Sequence, residues 1–151
     1  MLQQSQVKVS LKTIIDALEM ASFGNEEFQN YAFVDRETGQ VYHYSEYDEQ
    51  LDSPLLELIP DDLFDNPKYV QLPDKRDLDL GRPLVLDFAN RYLGDDANLV
   101  YGYFRKRGAY SNFKDLLVRK NLLDQWYSFE KEATEQALKS WCEQNSLELI
   151  D

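Results

Sequence analysis

The stretch YAFVDRETGQVYHYS, residues 31 to 45, constrains the fold more than any other part of the chain. Two runs rich in β-branched and aromatic residues flank DRETG, and Gly39 can supply the positive φ that a bulged hairpin loop demands. KYVQLPD, ended by Pro73, reads as a third strand. Before the hairpin, Leu11, Ile14, Ile15 and Leu18 follow the spacing of an amphipathic helix over about 10–22, with Ser10 able to cap it and Gly24 beyond its end. After the third strand, KRDLDLGRP leads into a helix with Pro83 near its first turn, and helical patterns follow at about 83–93, 96–106, 109–120 and 124–144. Strands early and helices late predict an α+β fold, a small antiparallel sheet of hairpin plus third strand packed against a mainly helical C-terminal half. At 151 residues, a single globular domain over 1–151 is expected.

Charge narrows the partners. Asp and Glu outnumber Lys and Arg 28 to 16, a net charge of -12, so the average surface repels phosphate and anionic lipid. Hydrophobic residues at 43% are too many for a disordered chain. Eight acids and no bases lie in residues 45–65, interrupted by Pro54 and Pro60, which suits short helical turns and loops in an acidic connector. The N-terminus has neither a long apolar run nor a signal-peptide pattern. The one cysteine, Cys142, cannot form an internal disulfide. These features predict a soluble cytoplasmic protein that does not engage membranes.

Familiar enzyme chemistry is missing. His43 is the sole histidine and sits in the second arm of the hairpin, which favours an ordinary strand residue over a catalytic base. Cys-x-x-Cys, His-Glu-x-x-His, Walker, dinucleotide-glycine and Gly-x-Ser-x-Gly patterns do not occur. Asp77 and Asp79 in DLDLGRP resemble the start of a calcium loop, but an EF-hand begun there would place Arg82 where Gly is required and Phe88 where Glu is required. Asp61, Asp62, Asp95 and Asp96 are acids of the type used in two-metal hydrolysis, although 28 acids make chance proximity easy. No catalytic residue, metal or cofactor is therefore expected.

The exception to the acidity is RKRGAYSNFKDLL. Six bases, Arg105, Lys106, Arg107, Lys114, Arg119 and Lys120, stand against Asp115 between residues 105 and 120. Gly108 is expected to break the helix there and gather Arg105, Lys106 and Arg107 at a helix C-terminus, where cations complement the dipole. An anion could also meet Arg107 and the backbone N–H groups opening the next helix. Helical projection assigns Phe113, Leu116 and Leu117 to the core and leaves Lys114 at its edge. The final helix carries a stripe of Trp126, Phe129, Ala133, Ala137, Leu138 and Trp141, into which Glu130 projects. A carboxylate there is costly unless paired, making Glu130 a structural ion-pair candidate, with Arg107 or Lys114 expected to pair with it or with a neighbouring acid.

RGAYSNFKDLL, LLDQWYSFEKEA and ALKSWCEQN together resemble the C-terminal signature of a bacterial family known as uncharacterised protein family 0158. SLKTIIDALEM, DRETGQV and YVQLPD match its earlier segments more loosely. The resemblance implies membership of that family and assigns no activity.

Three functional readings follow. The leading one is a non-enzymatic protein-interaction or regulatory module that uses its acidic surface to engage a basic protein. The second is nucleic-acid binding through the basic segment 105–120, with Arg105, Lys106, Arg107, Gly108 and Lys114 as the candidate site. The third is a hydrolase with a carboxylate-bound metal. Oligomeric state is left open by the sequence.

Overall fold

A computed structural model describes residues 6–22 and 29–151. The chain divides into two compact units, one formed by residues 1–75 with 136–151 and the other by residues 76–135. The fold is α+β, with one small antiparallel sheet, one two-stranded parallel sheet, and helices mostly in the C-terminal half. None of the described helices is long and apolar enough to cross a membrane.

In the first unit, strand β1 (Val7–Ser10) runs directly into helix α1 (Leu11–Ser22). Ser10 marks the change, its Oγ accepting from the Thr13 N–H at 3.4 Å and so satisfying a backbone donor of the first turn. Ile14, Ala17 and Leu18 form the buried stripe of α1. Gly24, expected beyond that helix, lies outside the described residues.

Strands β2 (Asn30–Asp35) and β3 (Val41–Ser45) form the hairpin, and β4 (Tyr69–Gln71) pairs with the other side of β2, giving the order β3-β2-β4. Period-2 alternation divides the faces. Ala32 and Val34 are fully buried on one, which suits the helix α1 lying against β2 and β3. Tyr31, Phe33, Tyr42, Tyr44 and Tyr69 occupy the other, where ring pairs meet at centroid distances of 5.8–6.1 Å for Tyr31–Tyr44 and Tyr42–Tyr69.

The hairpin turn is held from both ends. Gly39 takes φ +81°, its N–H donating to the Asp35 carbonyl at 2.7 Å. A Cβ there would lie 2.7 Å from the Lys8 carbonyl oxygen, so β1 approaches the turn as closely as a bare backbone permits. Asp35 is 3% exposed, and its carboxylate accepts from the Glu37 N–H at 2.8 Å and sits 3.7 Å from Lys68 Nζ. That pairing offsets the cost of burying the charge.

The acidic connector forms helix α2 (Glu46–Gln50) and a 3-10 turn over Pro54–Leu58, capped by Ser45 and Ser53, whose side chains accept from the N–H groups of Tyr47 and Leu55. At the far end of the chain, strand β5 (Leu147–Ile150) pairs in parallel with β1. The sequence reading contains neither of these strands. Each is four residues long and neither is flanked by a hairpin signal. A signal is nevertheless present. VKV and LEL alternate in phase, and the register sets Lys8 beside Glu148.

The second unit comprises α3 (Arg82–Tyr92), a 3-10 turn at Gly94–Asp96, α4 (Ala97–Tyr103), α5 (Ala109–Lys120) and the first part of the helix α6 (Leu123–Gln144). Phe88 of α3 is fully buried amid rings, with centroids 5.3 Å from both Trp126 and Phe129 and 6.2 Å from Phe113. One of the two residues that break the calcium-loop pattern is thus a core aromatic. Phe113, Leu116 and Leu117 are buried on α5, as their spacing predicts. Helix α4 ends at Tyr103, three residues short of the expected 106, because Phe104 caps it and the chain then turns.

Gly39→Ala is expected to lower stability by about 2 kcal/mol through strain at positive φ and collision with Lys8, measured by urea unfolding. Cys142 is buried with its thiol pushed up to about 11, first by burial and then by Glu143. It is expected to resist a disulfide reagent at neutral pH in the native protein and to react promptly once unfolded, read as released chromophore against time.

Candidate functional site

The first unit presents its chemistry along β3, an outer strand of the three-stranded sheet. The bonds from Asp35 N–H to Gln40 O (2.8 Å) and from Glu46 N–H to Gln29 O (3.0 Å) bracket its ladder with β2. Bonded and non-bonded pairs alternate in an antiparallel ladder, so Tyr42 and Tyr44 direct their backbone groups at β2. Val41, His43 and Ser45 direct theirs outward.

A cavity of about 410 Å³ runs the length of this strand, reaching from Gln40 to Ser45 and bounded also by Met20, Leu55, Leu58 and Ile59. The connector holds large apolar side chains in solvent here, with Leu58 74% and Leu55 58% exposed, and Met20 of α1 is 44% exposed. The local cause is the capped 3-10 turn. Ser53 and Pro54 fix its start, leaving it too short to bury a stripe of its own. Asp48 also lines the cavity, and the connector's carboxylates are exposed or half-buried without exception.

The aromatic face continues the surface. Phe64, 57% exposed, packs edge-on against Tyr31, Phe33 and Tyr44 at 5.1–5.8 Å. The phenols of this cluster are tied to acids. Tyr31 Oη donates to Glu46 Oε1 at 3.0 Å, and Tyr44 Oη donates to Glu49 Oε2. Burial, then the hydrogen bond to Glu49, pushes the Tyr44 phenol up to about 12, and burial with Glu46 raises Tyr31. Partial desolvation lowers the pKa of His43 against the opposing pull of Asp16, favouring neutral imidazole on the strand.

The basic segment lies in the second unit. Arg105, Lys106 and Arg107 are exposed in the turn after α4, and Gly108 takes φ +76° before α5. Open space surrounds Gly108, so its backbone angle alone calls for glycine. Lys114 is exposed, 5.8 Å from the centroid of the Tyr127 ring. Among the described residues the segment's ion pair is Lys120 with Asp96, and neither Arg107 nor Lys114 is joined to Glu130. Glu130 is half-buried rather than enclosed, so it retains water as a partner. With burial as the larger cause, it also raises the pKa of the Tyr110 phenol, which Arg76 lowers. Tyr110 itself is exposed.

Among the described residues, no three of His, Cys, Asp and Glu converge as a metal-binding group. The sequence reading passed over Leu55, Leu58 and the outward edge of β3. Leucines set among acids between Pro54 and Pro60, in a stretch too short for a helical stripe, are the signal the sequence holds. No family model, curated protein or solved structure matches this chain.

The Tyr44 shift has a signed consequence. The folded state holds the phenolic proton to about pH 12, whereas the unfolded state releases it near 10.0. The raised pKa therefore contributes stability that is present below pH 10 and is lost as pH rises toward 12. Unfolding free energies across that window should fall less steeply in Tyr44→Phe than in the parent.

Proposed function

We propose that the protein is a non-enzymatic interaction or regulatory module that binds a basic protein partner beside β3. The observation that carries this reading is the exposure of Leu55 and Leu58 within a connector of eight acids and no bases. Apolar side chains that stay in solvent supply contact area, and surrounding carboxylates select a cationic partner and speed its encounter. A cytoplasmic setting fits the single buried thiol. Within this reading, the resemblance of the C-terminal segments to family 0158 would place the module among those bacterial proteins.

Recovery of the tagged protein from its native cell, with nuclease applied to half the sample, tests the proposal. Partner proteins should survive nuclease and be lost with Leu58→Asp. That variant should retain stability within about 0.5 kcal/mol because the side chain is already exposed. The same proteins recovered with the variant would overturn the assignment to this surface.

A second reading, nucleic-acid contact, is favoured by the exposure of Arg105, Lys106 and Arg107, none of which is in an ion pair among the described residues. It requires affinity that falls steeply with salt, with a slope reduced by about one in Arg107→Ala if one phosphate contact is removed. A salt-independent affinity would end it.

A further inference from the structure

We propose that β3 takes up an extended, basic segment of the partner as an additional antiparallel or parallel strand, with Val41, His43 and the N–H of Ser45 making the backbone hydrogen bonds. This inference rests on the protein-binding reading above and specifies its mode.

The two edges of the three-stranded sheet differ. β4 is three residues long, preceded by Pro67 and Lys68 and followed closely by Pro73, features that blunt an edge against further pairing. β3 is five residues long and contains neither proline nor lysine. The N–H and C=O of Val41 and His43 and the N–H of Ser45 point away from β2, while the Ser45 carbonyl opens the first turn of α2. The cavity is lined by every residue of β3, together with Asn30 of β2 and Met20 of α1, so open space accompanies the strand along its whole length, as a site for an added strand requires. Leu55, Leu58 and Ile59 border it, so alternate side chains of an incoming strand would meet apolar surface.

Charge identifies the occupant. A second copy carries the same net charge of -12, so repulsion opposes its approach to the acidic surface beside β3. A segment alternating aliphatic and cationic residues avoids that repulsion and satisfies both surfaces. Depression of the His43 pKa works in the same direction, because a neutral imidazole does not repel a cationic strand.

The probe is a fluorescein-labelled nonapeptide alternating Val and Lys, titrated with the full chain and followed by anisotropy. Saturable binding is expected, with affinity about tenfold or more weaker when Glu replaces Lys. N-methylation of alternate residues on the pairing edge should weaken binding about tenfold or more, while methylation of the intervening residues should not. His43→Pro removes one outward N–H and leaves the ladder to β2 intact, since His43 directs no backbone bond there. It should lose peptide affinity while retaining the parent's amide NMR peaks for residues remote from position 43. If that variant fails to fold, the two N-methylated peptides decide alone.

Absence of binding up to about 1 mM peptide overturns the proposal. So does equal affinity for both N-methylated forms, or equal affinity for the Glu peptide. A dimer that dissociates on peptide-independent His43→Pro substitution overturns it in favour of a second copy. Failure of these arms while Leu58→Asp still abolishes recovery of protein partners removes the strand mode alone. Loss of the underlying reading would instead show as partners unaffected by Leu58→Asp.

Discussion

The surface beside β3 depends on how β2 is fixed. Ala32, Phe33 and Val34 are buried at the middle of the three-stranded sheet, with β3 on one side and β4 on the other. A one-residue slip in either ladder would exchange the helix-covered and aromatic faces, at the cost of burying tyrosine hydroxyls and exposing Val34. Register is locked at the turn. Gly39 admits the Lys8 carbonyl, and the buried Asp35 carboxylate is held by the Glu37 N–H and Lys68. Once β2 is placed, the alternation of the ladder decides which residues of β3 face outward.

The same connector contributes exposed leucines and acids for one physical reason. Pro54 and Pro60 divide a sequence that would otherwise offer enough residues for a helix. The result is a five-residue helix and a five-residue 3-10 turn, neither with a buried residue. Apolar side chains on such short pieces cannot turn away from water together, and they remain available beside β3.

The basic segment shows the opposite balance. Its apolar members are absorbed by the second unit, where Phe113 meets Phe88 and Trp126. The expectation that Arg107 or Lys114 would satisfy Glu130 assumed that position in an apolar stripe means enclosure. Half-burial leaves Glu130 hydrated, while Lys114 lies over Tyr127 and Lys120 takes Asp96. Helical projection reports direction about an axis and carries no measure of how closely neighbours approach.

What the sequence determined by itself was local. Ser10 as the start of α1, Gly39 at the hairpin, Gly108 at the break and the buried set Phe113, Leu116 and Leu117 follow from backbone angles and side-chain spacing that operate within a few residues. Non-local pairing needed the tertiary structure. β1 and β5 meet from opposite ends of the chain, and the Lys8–Glu148 match gains meaning only once their register is known. Edge or centre is likewise a property of the assembled sheet. VYHYS reads identically in either position, and only the placement of β4 on the far side of β2 leaves the backbone of Val41, His43 and Ser45 facing outward.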